Sequence, residues 1–408
     1  MDNNDITLSN DKIKKSGEYE RFDDIDFLTE NVDLLKGIFY YGFSTPSRIQ
    51  ALTLEPMHNG KDILAQSQSG TGKTGAFVIS ALSRITTTNN FPQVLIISNT
   101  KDLSSQIFNV ASEIGKFMGI QLCLCIGGTL NKKDDVMKSH LIVGTPGRLN
   151  ELISTKKWIN AKKLKILILD EADELLKDDF SSQIKSIITE LDQSSQICVF
   201  SATFPEKILE ITKKFLNEPV EFLLEKEKLS LDLIRQYKVD VQYEKHKYST
   251  LKDLYGKLRI GQCMIFVNFK ERAEMLKKSL IEDGHSCGMI HGDIPNKDRN
   301  DELKKFRLGE TRVLISTDIL SRGIDVEQIG LVINYDMPTD ISQYLHRIGR
   351  SGRYGKIGIA INIITINDYD KITNVEKYYD IKINNMISCD AVNSILSGVG
   401  GHLTVNKN

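Results

Sequence analysis

Short, unbroken apolar runs separated by longer amphipathic stretches recur twice along this sequence, and that rhythm restricts its fold more than any other feature. In the first half the runs are Ile63–Ala65, Val94–Ser98, Leu122–Ile126, Leu141–Val143, Ile166–Leu169 and Ile197–Ser201. Each has strand length, and a strand that is apolar at every position must be buried on both faces. The stretches between them carry helical spacing; in Lys101–Phe117, residues Leu103, Ile107, Val110, Ile114 and Phe117 fall on one face. The pattern restarts after residue 235 with Tyr237–Val241, Cys263–Val267, Ser286–Ile290, Val313–Ser316, Leu331–Asn334 and Ala360–Ile364. Strands alternating with helices predict a parallel sheet flanked by helices in each half, an α/β class. A chain of 408 residues also exceeds what one core usually supports. The expected domains are 21–218 and 232–397, joined by a charged linker at 219–231. Residues 1–20 and 398–408 lack hydrophobic periodicity; the first are expected to be a disordered extension and the second a flexible tail.

Composition excludes several classes. Hydrophobic residues make up 40% and charged residues 26%, so neither a fibrous nor a disordered chain is indicated. No apolar run is long enough to span a bilayer, and Met1–Glu20 contains no apolar segment of secretory type. The six cysteines show no ligand spacing for a metal and are expected to be buried, reduced thiols. A net charge of −1 neither requires nor forbids a nucleic-acid partner.

The chemistry begins at Ser67-Gln68-Ser69-Gly70-Thr71-Gly72-Lys73-Thr74, which follows the run Ile63–Ala65 and opens a helical stretch. Glycines allow the tight turn that points successive N–H groups and a helix N-terminus at phosphates. Lys73 then reaches the outer phosphates of ATP, and Thr74 holds Mg²⁺. Asp170-Glu171-Ala172-Asp173 follows the run Ile166–Leu169. Carboxylates at the end of a parallel strand sit where such sheets bind ligands. Asp170 is the expected Mg²⁺ partner, and Glu171 the base that activates the attacking water.

Together these two motifs resemble those of the DEAD-box ATP-dependent RNA helicases of superfamily two, and the resemblance runs from about Phe22 to about residue 395. It implies two tandem RecA-like domains: an ATP-binding domain over 21–218 and a helicase C-terminal domain over 232–397. Gly42-Phe43-Ser44-Thr45-Pro46-Ser47-Arg48-Ile49-Gln50 is similar to the family's adenine-reading segment, which gives Gln50 and Arg48 nucleotide roles and makes Phe22 the aromatic stacked on the base. Ser201-Ala202-Thr203 matches the motif coupling hydrolysis to duplex separation.

His346-Arg347-Ile348-Gly349-Arg350-Ser351-Gly352-Arg353 is the corresponding signature of the second half. Planar, permanently charged Arg suits the charge spread over a transferring phosphoryl group. By resemblance Arg350 and Arg353 are arginine fingers, His346 couples the ATP site to its neighbours, and Asp325 binds the ribose. RNA contacts are implied for Thr100 and Lys101, Gly128, Thr145 and Arg148, and Thr317. Asn99-Thr100-Lys101-Asp102-Leu103-Ser104 departs from the family's Pro-Thr-Arg-Glu-Leu-Ala, so the planar Arg fork is replaced by a Lys point charge. Hydroxyls, backbone N–H groups and basic side chains of this kind hold phosphates rather than bases, which gives sequence-independent binding.

The resemblance implies RNA-stimulated ATP hydrolysis with local opening of short duplexes. An ATP-gated RNA clamp that serves as an assembly platform uses the same motifs and differs in the lifetime of its closed state. A DNA translocase would instead be stimulated by DNA. The chain looks like a nearly minimal helicase core, most similar to the translation-initiation branch, with initiation or ribonucleoprotein partners. A monomer is expected, in the cytoplasm or alternatively the nucleus.

Overall fold

The computed structural model describes residues 6–8, 19–67, 71–224, 234–258, 261–318, 329–351, 358–386 and 388–396. The chain divides into two compact units, Met1–Glu225 and Lys226–Asn408.

The first unit contains strands β1 (Ile6–Leu8), β2 (Ile63–Gln66), β3 (Val94–Ile97), β4 (Leu122–Cys125), β5 (Leu141–Gly144), β6 (Ile166–Asp170), β7 (Gln196–Ser201) and β8 (Val220–Leu224). They form one sheet in the order β1-β8-β2-β7-β6-β3-β5-β4. All neighbouring pairs are parallel except β1 with β8, where Ile6 faces Leu224. The unbroken apolar runs have a direct explanation in the packing. Ile63 and Ala65, Val94 and Ile96, and Ile166 and Ile168 enter the core on one face. Leu64, Leu95, Ile97, Leu167 and Leu169 enter a second core on the other. Period-two alternation thus feeds two cores, so the strand centres are apolar and polar residues such as Gln66, Asp170, Gln196 and Ser201 fall at strand ends. The helices Lys73–Ser83 and Lys101–Ile114 both pack into the first core.

The second unit contains β9 (Ile234–Gln242), β10 (Cys263–Phe266), β11 (Cys287–Ile290), β12 (Val313–Ser316), β13 (Leu331–Asn334), β14 (Gly358–Thr365) and β15 (Asn384–Asn385). The order is β11-β12-β10-β13-β14-β9-β15, parallel throughout. Again Cys263 and Ile265 face one core while Met264 and Phe266 face another. Among the described residues no helix is long and apolar enough to cross a membrane.

Two expectations need correction. The segment 219–231 was expected to be a linker, yet Val220–Leu224 is β8, paired in parallel with β2. Its alternation buries Val220 and Phe222, which outweighs the charge of the surrounding sequence. Residues 1–20 were expected to be disordered, yet Ile6–Leu8 forms β1 on β8, and Tyr19 donates to Glu55 at 3.1 Å.

Candidate nucleotide and RNA sites

In a parallel sheet every strand ends at the same edge, so the loops after β2, β6, β7, β3, β5 and β4 of the first unit share one rim. The phosphate loop follows β2. Gln68, Ser69 and Gly70 lie outside the described residues; Ser67, Thr71, Gly72, Lys73 and Thr74 are described. Gly72 has φ 99°, a left-handed conformation, and caps the helix Lys73–Ser83. A Cβ there would come within 2.7 Å of the Ser47 hydroxyl and 2.9 Å of Gln50 Nε2, so only glycine fits. Ser67 N–H donates to the Ser201 carbonyl at 3.0 Å, which ties the loop to the end of β7, and the Ser67 and Thr71 hydroxyls bond each other. Thr74 is half-buried in the first turn of the helix.

Lys73 is 7% exposed, and its ammonium has no hydrogen-bond partner among the described residues. A buried cation without hydrogen bonds is costly, and a phosphate oxygen is the group that would satisfy it. At the end of β6, Asp170 and Glu171 are 3% and 4% exposed. Burial, and next the Glu171 charge, push the Asp170 carboxyl up to about 7, while Lys73 pulls the other way. Glu171 N–H donates to Asp170 Oδ1 at 3.0 Å. Glu171 itself sits at φ 55°, ψ 52°, a left-handed conformation that a residue with a side chain adopts only at a cost. The Thr74 hydroxyl and the acids fit a divalent cation, which would relieve the crowded Asp170 carboxyl, while the orphaned Lys73 ammonium fits the phosphates instead.

Asp173 completes a connection expected only from motif order. Its Oδ1 accepts from the Ser201 hydroxyl at 2.8 Å and its Oδ2 from the Thr203 hydroxyl at 2.6 Å, all three residues being buried. The acidic segment and the Ser-Ala-Thr segment are therefore one hydrogen-bonded unit.

The adenine segment is arranged differently from the expectation. Phe22 is fully buried in the core, with its ring centroid 6.1 Å from that of Phe43, so it has no exposed face on which a base could stack. Phe43 is half-buried, and a Cβ on Gly75 would meet both its ring and Gln50 Nε2, which puts Phe43 beside Gln50. Gln50 is 3% exposed; its Oε1 accepts from Ser47 N–H at 2.8 Å and its Nε2 donates to the Gly72 carbonyl at 3.1 Å. The amide thus clamps the phosphate loop and keeps one N–H and one lone pair for a ligand. Arg48 is exposed at the start of the same helix.

The expected RNA contacts of this unit gather at the rim near β3, β4 and β5. Thr100 caps the helix Lys101–Ile114 by accepting from Leu103 N–H at 3.2 Å. The Lys101 chain lies over Gly127, its Cε 3.4 Å from where a Cβ would be, and Gly128 is exposed at φ 91°. Thr145 N–H donates to the Cys125 carbonyl at 3.2 Å. Arg148 donates to Glu151 Oε2 at 2.6 Å and to Asn131 Oδ1 at 3.3 Å.

In the second unit Asp325 and Arg353 lie outside the described residues. His346 and Arg350 are 1% and 3% exposed, and Arg350 Nε donates to the His346 carbonyl at 3.2 Å. Thr317 N–H donates to the Ile290 carbonyl at 3.3 Å, at the end of β12. The sequence reading missed Arg347. This side chain is 0% exposed and grips Asp318 through two bonds of 2.5 and 2.7 Å. It also donates to the Asp336 carbonyl at 2.6 Å and to Asn268 Oδ1 at 2.8 Å. One guanidinium therefore joins the ends of β10, β12 and β13. The clue lay in the helical spacing, since Arg347 follows buried Tyr344 by three residues on the helix Ile341–Ile348.

Comparison with known proteins agrees with this geometry. Residues 47–211 match the DEAD/DEAH box helicase family and residues 246–355 the helicase conserved C-terminal domain. The chain is 42% identical over 369 residues to the ATP-dependent RNA helicase eIF4A of Lodderomyces elongisporus, covering 90% of this chain and 92% of the other. It is 44% identical over 377 residues to the ATP-dependent RNA helicase FAL1 of Kluyveromyces lactis, covering 91% and 93%. Among solved structures, S. cerevisiae Dbp5 bound to RNA and ADP BeF3 superimposes with a TM-score of 0.84 at 35% identity, over 90% of this chain and 97% of that one. On its motifs, its two parallel sheets and these relatives, the chain belongs to the DEAD-box family of ATP-dependent RNA helicases.

Proposed function

We propose that the chain hydrolyses ATP in response to single-stranded RNA and opens short RNA duplexes locally. The observation that carries this reading is the buried Lys73 ammonium, without a hydrogen-bond partner among the described residues, at the head of a helix beside Asp170. A nucleotide's outer phosphates supply the missing acceptors.

In this scheme Ser67, Gln68, Ser69, Gly70, Thr71, Gly72 and Lys73 cradle the phosphates, Gln50 and Arg48 face the nucleoside, and Asp325 binds its ribose. Mg²⁺ held by Thr74 and Asp170 would neutralise charge developing on the transferring phosphoryl group. Glu171 accepts the proton of the attacking water, while Arg350 and Arg353 add cationic stabilisation. Asp173 transmits the state of the acidic segment to Ser201 and Thr203 through its two hydroxyl bonds. Thr100, Lys101, Gly128, Thr145, Arg148 and Thr317 hold the RNA backbone. The RNA and ADP BeF3 bound to the similar Dbp5 support both ligands, and the similar eukaryotic initiation factor 4A of Cryptosporidium parvum supports a translation-initiation setting. The test is displacement of a short labelled strand from an RNA duplex. Displacement that requires ATP supports the reading; displacement that proceeds equally without ATP, or never, refutes it.

A further inference from the structure

Two thiols that the mechanism does not use lie side by side next to the expected RNA loop. Cys123 and Cys125 occupy alternate positions of β4, and their sulfurs are 3.7 Å apart. Neither is in a disulfide, and they are 7% and 0% exposed. The Asn131 amide donates to Cys123 Sγ at 3.6 Å and to the Leu124 carbonyl at 2.9 Å. The same Asn131 side chain accepts from Arg148 at 3.3 Å and from the Thr129 hydroxyl at 3.2 Å. One amide therefore connects the sulfur pair to Arg148 and to the loop that contains Gly127 and Gly128.

We infer that Cys123 and Cys125 form an oxidation site whose closure into a disulfide weakens RNA binding. The reactive sulfur is Cys123. The hydrogen bond from Cys125 holds its thiol below the usual range, helped by Asn131 and Arg148, while that same bond and burial push Cys125 up. With a hydroperoxide as oxidant, the Cys123 thiolate attacks the outer oxygen. An S–O bond forms, the O–O bond breaks, and the leaving oxygen takes the thiol proton. The Cys125 sulfur then attacks the sulfenic sulfur of Cys123. An S–S bond forms, and the hydroxyl departs as water with the Cys125 proton. Two thiols lose two electrons and two protons; hydrogen peroxide becomes two waters.

Strand geometry explains why the bridge would act on the loop. Residues two apart on a strand have Cα atoms roughly 6.6 Å apart, close to the upper limit of about 6.8 Å for a disulfide. Closure draws the two Cα atoms toward the commoner separation of about 5.5–6 Å, which shortens β4. Among the described residues that strand is at the sheet edge and pairs only with β5, so it can pucker without breaking a second ladder. Puckering moves the Leu124 carbonyl, and with it Asn131 and the hold on Arg148. A bridge strained in this way is readily reduced, which makes the modification reversible.

The RNA effect rests on the proposed function, whereas bridge formation does not, and the experiment separates them. The full chain is treated with hydrogen peroxide, and its peptides are weighed before and after dithiothreitol. We expect the segment carrying Cys123 and Cys125 to lose two hydrogens and regain them on reduction. RNA affinity, read by fluorescence anisotropy with a non-hydrolysable ATP analogue, should fall about tenfold and recover. Cys123→Ser should bind RNA like the reduced parent and be indifferent to peroxide, and Cys125→Ser should stop at a sulfenic acid. Absence of the bridge, or a bridge that leaves RNA affinity unchanged, overturns the inference. If the reduced protein fails to bind RNA, the functional reading falls, and the peptide masses still decide the bridge.

Discussion

Glu171→Gln is expected to lower RNA-stimulated ATP turnover by about 10²–10⁴-fold, the usual contribution of a positioned general base, while ATP and RNA still bind. The substitution keeps the shape of the side chain at a position whose backbone is already left-handed, and removes the proton acceptor. It also removes the negative charge that helps push Asp170 up, so the neighbouring carboxylate ionises more readily and nucleotide binding is preserved or strengthened. Single-turnover hydrolysis, with affinities measured in parallel, checks this. Parent-like turnover in Glu171→Gln would remove Glu171 from the base role. Equal losses in turnover and ATP affinity would make it a binding residue instead.

The second large effect is structural. Arg347→Leu should destabilise the second unit by about 3–5 kcal/mol, the cost of breaking a buried ion pair from one side. Arg347 is fully buried, its ring of partners includes Asp318, Asn268 and the Asp336 carbonyl, and its guanidinium lies 5.4 Å from the Phe266 ring centroid. Arg347→Lys keeps the charge but cannot make the two-pronged grip on Asp318, so most of the loss should remain. Hydrogen exchange on the full chain localises the effect. Amides of β10, β12 and β13 should lose protection while β2, β6 and β7 keep theirs. Unchanged protection in the second unit would show Arg347 to be dispensable for its fold.

The strands were legible because burial on two faces writes itself as uninterrupted apolar sequence, as in Ile166–Leu169 and Leu331–Asn334. What escaped was set by tertiary context. Val220–Leu224 resembles a charged connector until β2 is present to pair with it. Phe22 reads as a ligand aromatic by motif position, but the core around Phe43 takes the whole ring. Gln50 was read as an adenine contact, and nothing local reveals that Gly72 is close enough to accept from it. Arg347 was one of several basic residues in its motif; its spacing from Tyr344 marks the buried face, but its partners come from the converging ends of three strands. The bond from Asp173 to Ser201 and Thr203 spans residues about thirty apart in sequence, so motif order suggested coupling and the fold supplies its atoms.

RNA, on this mechanism, controls the ATP site. The most direct measurement is steady-state ATP hydrolysis by the full chain alone, with single-stranded RNA, and with DNA of the same sequence and length. Slow turnover alone, strong acceleration by RNA and little by DNA are expected. Equal acceleration by DNA, or full turnover without nucleic acid, would contradict it.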